Sequence, residues 1–192
     1  MTPRPDLTPT ARRMADLLAA VDDGQLALPT PCPEFTLGDL IDHVGGLSAA
    51  FVRTARKQPK GPDGAPSADE ARLEDGWRDR ITRQLAELAD AWREPGSWEG
   101  MTRAGGFDLP AEVAGAVALN ELLVHGWDVA RASGQPFTAD PEALGSSLRL
   151  LEPKDGAGSE GLFGPIVQVP ADAPDLDRVI GLSGRDPGWT PR

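Results

Sequence analysis

Residues 120–130 read NELLVHGWDVA and lie within a longer segment, residues 110–134, whose apolar side chains cover nearly every helical face. A helix of that kind is buried on most sides rather than half exposed. Pro110 is a favourable residue for its first turn, and Gly134 is expected to end it as a glycine C-cap. Since other helices must surround a buried helix, the stretch predicts a helical bundle.

Three segments before this helix combine helix start signals with apolar residues at helical spacing. Their linkers are short or rich in proline and glycine, as expected between bundle helices. The predicted helices run from Thr8 to about Gly24, from a Thr36 N-cap with Asp39 to the linker 58–66, and from a capping box of Ser67 and Glu70 to Pro95 and Gly96.

The remaining segments predict smaller elements. Residues 97–109 have the pattern of a short hairpin, and Asp140 with Pro141 begins a fifth helix. An extended stretch, 163–174, precedes a last short helix at 175–184. We therefore predict an all-α fold: a four-helix bundle in residues 1–134, with a C-terminal helix and extended tail, 135–192, packed on it.

Composition restricts the function classes. The chain has 192 residues, is 40% apolar and carries a net charge of −11, which argues against binding to nucleic acid or to anionic membrane surfaces. No run approaches the ~20 apolar residues of a membrane span, and the N-terminus lacks a secretory apolar run, so we expect a cytoplasmic protein. One cysteine, Cys32, excludes an intrachain disulfide and a multi-cysteine metal site.

Ionisable residues form a stripe on the buried fourth helix. At ~100° per residue, His125 lies at about +40° and Asp128 at about −20° from Glu121. An isolated ionised carboxylate there would cost several kcal/mol unless it were paired. His43, the second of only two histidines, lies at the edge of the inward face of the second helix. Both histidines and one glutamate are therefore expected to face the bundle interior.

Two interpretations of this stripe remain open on the residues alone. Glu121 and His125, four positions apart, are typical of an ordinary ion pair. Alternatively His43, Glu121 and His125 are ligands of one divalent metal ion, for which two imidazoles and a carboxylate suit Zn²⁺, Ni²⁺ or Fe²⁺. Asp128 would then accept a hydrogen bond from a ligand histidine.

Three other features have simpler interpretations. Cys32 is expected to be a small buried apolar residue rather than a reactive thiol. Trp127 is expected to serve packing or an interface. Arg185 and Asp186 are expected to form an internal salt bridge that caps the last helix.

Three stretches carry a family resemblance: TPCPEFTLGDLIDHVGG (30–46), NELLVHGWDVARASGQPF (120–137), and a tail with FGPIVQVPADAP (163–174) and LSGRDPGW (182–189). Together they resemble the DinB-like superfamily, and more closely its mycothiol-dependent maleylpyruvate isomerase-like metal-binding proteins. The resemblance implies a DinB-like four-helix bundle. It also implies that His43, Glu121 and His125 hold the metal. Phe35 departs from a tryptophan common in relatives, and the tail is shorter than the C-terminal domain of the isomerase.

The resemblance implies an enzyme that uses mycothiol, a low-molecular-weight thiol, as co-substrate. We expect a thiol-dependent transferase or isomerase acting on a small electrophilic substrate, with zinc as the favoured metal. A metal-dependent hydrolase and a non-catalytic protein that binds a metal or ligand are the alternatives. The apolar fourth helix also fits a homodimer contact.

Overall fold

The buried fourth helix is present in the computed structural model, which describes residues 4–58, 66–152 and 164–191. The helix spans 23 residues and ends at Gly134, whose φ of 73° is the left-handed C-cap conformation. Most of the sequence-predicted linker 58–66 lies outside the described residues. The helices and strands are α1 (Thr8–Ala19), α2 (Leu37–Ala55), α3 (Trp77–Arg93), β1 (Met101–Ala104), β2 (Phe107–Pro110), α4 (Ala111–Ser133), α5 (Pro141–Leu151) and α6 (Asp175–Leu182).

The first four helices form the predicted bundle. Both α1 and α2 pack against α3 and α4, so α1 lies diagonally across from α2, and α3 from α4. The buried apolar side chains of all four helices form a single core cluster. Most residues of α4 are buried within its own chain, and Val113 is exposed. The all-α expectation is confirmed.

The hairpin predicted in residues 97–109 is formed by β1 and β2. The strands pair antiparallel, with Ala104 opposite Phe107. Gly105 and Gly106 between them have φ of 58° and 89°, as the tight two-residue turn requires. The hydroxyl of Thr102 donates to the carbonyl of Thr54 at 2.7 Å, which attaches the hairpin to the end of α2.

The expected start of the third helix at Ser67 is wrong. The helix begins ten residues later at Trp77, after Gly76. The backbone N–H of Glu70 donates to Asp39 at 2.9 Å, so a carboxylate of α2 captures it. Arg72 binds Asp42 at 2.6 Å. These contacts hold a single 3₁₀ turn against α2, where the expected helix would have begun.

The first helix is also shorter than expected. It ends at Ala19 rather than near Gly24, and a 3₁₀ turn, Asp23–Gln25, follows it. In that turn the Gln25 side chain accepts the N–H of Asp22 at 3.0 Å. The local capping interaction therefore starts a separate turn where the sequence pattern predicted a continuous helix.

The C-terminal elements pack on the bundle through α4. The carboxylate of Asp140 accepts the N–H groups of Glu142 and Ala143, as an N-cap does. Helix α5 packs on α4, and α6 packs on α5. The division of the chain at residue 134 stays a prediction. Among the described residues, no helix combines the length and apolar character that a membrane span requires.

Candidate metal centre

Three side chains predicted as metal ligands lie together inside the bundle. His43 comes from α2, and Glu121 and His125 come from α4. One ligand atom from each lies within 4.8 Å of the other two. Both histidines are buried, and the Glu121 side chain is 19% exposed, so Glu121 is the ligand candidate nearest to solvent.

The arrangement follows from helix geometry. Glu121 and His125 are four residues apart and therefore lie on adjacent turns of one face. Helix α2 packs beside α4 and brings the His43 ring to 5.3 Å from the His125 ring, at an interplanar angle of 89°. An edge-on arrangement lets the two imidazoles approach one point without stacking.

His43 is held by a backbone carbonyl. Its Nδ1–H donates to the Pro66 carbonyl at 2.9 Å, which leaves Nε2 as the ring nitrogen with a free lone pair. The Phe35 ring lies 5.3 Å from the His43 ring and forms one wall of the site. The Pro66 contact was missed from the sequence, because a backbone carbonyl carries no side-chain signal.

His125 has a carboxylate on each side. Its Nδ1–H donates to Asp128 Oδ2 at 3.1 Å, and its Nε2 lies 3.1 Å from Glu121 Oε2. Asp128 is completely buried. Asp128 makes the hydrogen bond expected of it, while its role as the acceptor that orients a ligand histidine stays a prediction.

The carboxylates determine the protonation of the cluster. Burial favours the neutral form of His125, but hydrogen bonds to Asp128 and Glu121 outweigh it and raise its pKa to about 9. Burial and the neighbouring His125 charge lower the pKa of His43. Burial favours the neutral acid of Glu121, but the hydrogen bond to His125 and the charges of His125, His43 and Arg185 together outweigh it and lower the pKa. Around neutral pH the three residues are an imidazolium, a neutral imidazole and a carboxylate.

The expected ion pair between Arg185 and Asp186 is absent from the described ion pairs. Arg185 Nη2 instead lies 3.3 Å from Asp128 Oδ2, while the Asp186 carboxylate accepts the N–H of Gly188 at 2.8 Å. The side chains of these two adjacent residues point in different directions after the end of α6. The buried carboxylate of Asp128 on α4 is the one that most needs a cationic partner. This contact was not predicted because 57 residues separate its partners.

Cys32 lies in the loop that precedes α2. The thiol is partly buried, and burial raises its pKa. The charges of Arg185, Asp128 and Glu121 all act on it. The raised pKa favours the protonated thiol, and the expectation that Cys32 is unreactive stays a prediction.

The donor set fits a small divalent cation. Each imidazole donates Nδ1–H to an oxygen and directs Nε2 elsewhere, which is the usual arrangement of ligand histidines. Ligand atoms bonded at ~2.1 Å to one tetrahedral zinc lie about 3.4 Å apart. His125 Nε2 and Glu121 Oε2 are already 3.1 Å apart. All three ligand atoms lie within 4.8 Å of one another, so the widest pair would have to close by up to about 1.4 Å around a tetrahedral ion.

Comparison with known proteins identifies relatives of this chain. The family model described as "Mycothiol maleylpyruvate isomerase N-terminal domain" matches residues 7–130. The uncharacterized proteins MT0763 and Rv0738 of Mycobacterium tuberculosis, strains CDC 1551 / Oshkosh and ATCC 25618 / H37Rv, are each 29% identical over 177 residues. Each match covers 89% of this chain and 91% of the relative.

Solved structures show the same fold. The crystal structure of the mycothiol-dependent maleylpyruvate isomerase matches with a TM-score of 0.58 at 21% identity, over 76% of this chain and 64% of the isomerase. A histidine-to-alanine mutant of that isomerase matches with a TM-score of 0.53 at 19% identity, over 73% and 64%. With a family match that covers well over half of its length, the chain belongs to the mycothiol maleylpyruvate isomerase N-terminal domain family and has its DinB-like all-α fold.

Proposed function

We propose that His43, Glu121 and His125 bind one divalent metal ion, and that the protein is a mycothiol-dependent transferase or isomerase acting on a small electrophile. The observation that carries the metal site is the convergence of three ligand atoms within 4.8 Å from two helices. Zinc is the favoured ion, since two imidazoles and one carboxylate form a typical zinc site with an open position. Nickel and iron suit the same donors.

The residues of the chain have separate tasks in this proposal. Pro66 and Asp128 fix the tautomer of the two histidines by accepting their Nδ1–H groups. Glu121 supplies the negative charge and the side of the cluster that solvent and substrate can reach. Phe35 excludes water from one side of His43. A bound divalent cation would lower the pKa of a coordinated thiol and so favour the nucleophilic thiolate.

The thiol assignment is supported by the family and by the name of the matched structure, a mycothiol-dependent isomerase. The alignment covers 64% of that protein, so its complete activity comes to this chain only as part of the proposal. The substrate is expected to be an electrophilic carbon compound, because a thiolate reacts by conjugate addition or displacement. Cytoplasmic location, homodimer formation and the lack of nucleic-acid binding stay predictions.

Elemental analysis of tag-free protein tests the metal site. We expect about one equivalent of divalent metal per chain in the wild type, and loss of it in His43→Ala, Glu121→Gln and His125→Ala. Glu87→Gln is the matched control, since Glu87 is an exposed glutamate paired with Arg56, and it should keep its metal. Equal metal content in the wild type and in Glu121→Gln would contradict the ligand assignment.

A thiol-transfer assay tests the activity. Zinc-loaded protein is incubated with mycothiol and monochlorobimane, and separately with mycothiol and cis-configured unsaturated acids that include maleylpyruvate. We expect acceleration over His125→Ala in at least one of these reactions. Ester and amide substrates without thiol form a parallel arm. Turnover confined to that arm would replace the transferase proposal with a hydrolase.

A further inference from the structure

The guanidinium of Arg185, in the C-terminal segment, contacts Asp128 beside the candidate metal centre. The Nη2 atom of Arg185 lies 3.3 Å from Asp128 Oδ2, the same oxygen that accepts the Nδ1–H of His125 at 3.1 Å. The Asp128 side chain is 0% exposed and that of Arg185 is 12% exposed. The three side chains connect the tail after α6 with the ligand cluster on α4.

The backbone after α6 directs Arg185 towards α4. Gly184 has φ of 80°, the left-handed conformation that favours glycine, and the N–H of Arg185 donates to the Ile180 carbonyl at 3.0 Å. A Cβ on Gly184 would lie 2.8 Å from the backbone of Gly164. Both the turn and the close contact therefore require glycine at this position.

A second contact holds the same segment one turn further along α4. The Arg131 Nε–H donates to the Trp189 carbonyl at 3.1 Å. Arg185 and Trp189 are thus attached to residues 128 and 131, on neighbouring turns of one helix. The approach of Arg185 to Asp128 is built into the packing of the tail and does not depend on a single flexible side chain.

Asp128 needs this cation in order to act on His125. A fully buried carboxylate is costly unless it is paired, and removal of one partner of such a pair leaves an uncompensated charge. A guanidinium stays charged at all accessible pH values. Its presence holds the Asp128 carboxylate in place, so that Nδ1–H of His125 keeps its acceptor and Nε2 stays directed towards Glu121.

We propose that Arg185 is a positioning residue of the metal site, which holds the Asp128 carboxylate that orients His125. Arg185 lies beyond the residues 7–130 matched by the family model, so the C-terminal segment would contribute to the geometry of a site built from the bundle. The part of this proposal that concerns metal affinity rests on the proposed function. The part that concerns the orientation of His125 does not.

Zinc affinity is the first measurement, by competition with a chromophoric chelator on tag-free protein. We expect Arg185→Gln to weaken binding about tenfold, as removal of outer-shell partners of metal sites does. The zinc affinity of Arg185→Lys should lie between those of the wild type and Arg185→Gln, because lysine keeps the charge but lacks the planar guanidinium. The matched control is Arg178→Gln, which removes an arginine of α6 paired at the surface with Glu152 and Asp175 and should leave the affinity unchanged.

A double-mutant cycle shows whether Arg185 acts through Asp128. In an Asp128→Asn background, Arg185→Gln should change zinc affinity less than about twofold, since the carboxylate that it holds is gone. An undiminished tenfold loss in that background would overturn the proposal. So would zinc binding that becomes tighter in Arg185→Gln, because the dominant effect of Arg185 would then be repulsion of the metal ion.

NMR of the metal-free protein gives a readout that needs no metal. The chain has two histidines, and each donates Nδ1–H to an oxygen, Asp128 for His125 and Pro66 for His43. In Arg185→Gln we expect the His125 Nδ1–H proton to exchange with water at least about tenfold faster. The exchange rate of the His43 Nδ1–H proton should stay unchanged and serves as an internal reference.

Two outcomes separate this proposal from the proposed function. If the wild type binds no zinc, the proposed metal site is wrong. The exchange rate of the His125 Nδ1–H proton then decides the role of Arg185 by itself. If the His125 Nδ1–H proton exchanges with water at the same rate in Arg185→Gln as in the wild type, the proposal is overturned, whatever the zinc affinity. If Arg185→Gln does not fold, as judged by its circular dichroism, Arg185→Lys takes its place with the same required direction in both measurements.

Discussion

At the scale of single residues, His125 connects the electrostatics of the site with metal binding. Its pKa of about 9 arises because hydrogen bonds to Asp128 and Glu121 outweigh the cost of burial. At neutral pH its Nε2 therefore carries a proton that faces Glu121. A metal ion at the same nitrogen must displace that proton.

Zinc binding at pH 7 is therefore expected to release about one proton per chain. Affinity should increase about tenfold for each unit of pH between 7 and 9, and level off above the pKa of His125, because a single proton competes with the metal. Calorimetry in buffers with different ionisation enthalpies measures the release. Binding without proton release, or an affinity independent of pH, would contradict this protonation state.

The stability of the metal-free protein should depend on the same proton. The folded pKa of His125 is raised from 6.5 to about 9, so its stabilisation is fully present below pH 6.5 and is lost as the pH rises through 9. We expect the free energy of unfolding to fall by about 2 kcal/mol between pH 7 and 9. Denaturant titrations of the wild type and His125→Gln measure this. The variant should lack the decrease.

At the scale of elements, Gly115 determines how closely α4 approaches its neighbours. A Cβ at this position would lie 2.4 Å from the ring of Trp98 and 2.7 Å from that of Trp92. Those rings lie 4.9 Å apart and pack edge to face, and the Trp98 Nε1–H donates to the Trp92 carbonyl at 2.7 Å. Neither ring can move without loss of these contacts.

Gly115→Ala is expected to destabilise the protein by about 1–3 kcal/mol through overpacking, in spite of the higher helix propensity of alanine. Gly145→Ala in α5 is the control. Among the described residues, its added Cβ would meet only the end of the Arg149 side chain at 3.4 Å, so helix propensity should dominate and stabilise the protein by up to about 1 kcal/mol. Denaturant unfolding compares the two, and effects of the same sign would contradict this account of α4 packing.

At the scale of the whole molecule, the ligands of the proposed metal site join two helices that are far apart in sequence. His43 lies on α2, and Glu121 with His125 lies on α4. A ligand that binds only the folded chain stabilises it by about 2.7 kcal/mol at a hundredfold excess over Kd. For a chain of this size 1 kcal/mol raises Tm by about 2–4 °C.

Zinc at a hundred times its Kd should therefore raise Tm by roughly 5–10 °C, and a chelator should reverse the shift. Thermal unfolding followed by circular dichroism measures it. His43→Ala should abolish the shift, because it removes the only ligand from α2. A shift of the same size in that variant would place the metal elsewhere in the molecule.

The sequence by itself determined the bundle, because its information lies in local periodicity: apolar spacing, caps and Gly134 each act within a few residues. It also indicated which three side chains would meet, since helical spacing fixed the face of Glu121 and His125. Family resemblance added the assignment as metal ligands.

Only the tertiary structure decided the surroundings of those side chains. The partner of His43 is the backbone carbonyl of Pro66, which any residue could supply, and the partner of Asp128 is Arg185, 57 positions away. The third helix starts late because carboxylates of α2 capture the chain before Trp77. In each case a non-local polar contact satisfies a group that local patterns leave undetermined.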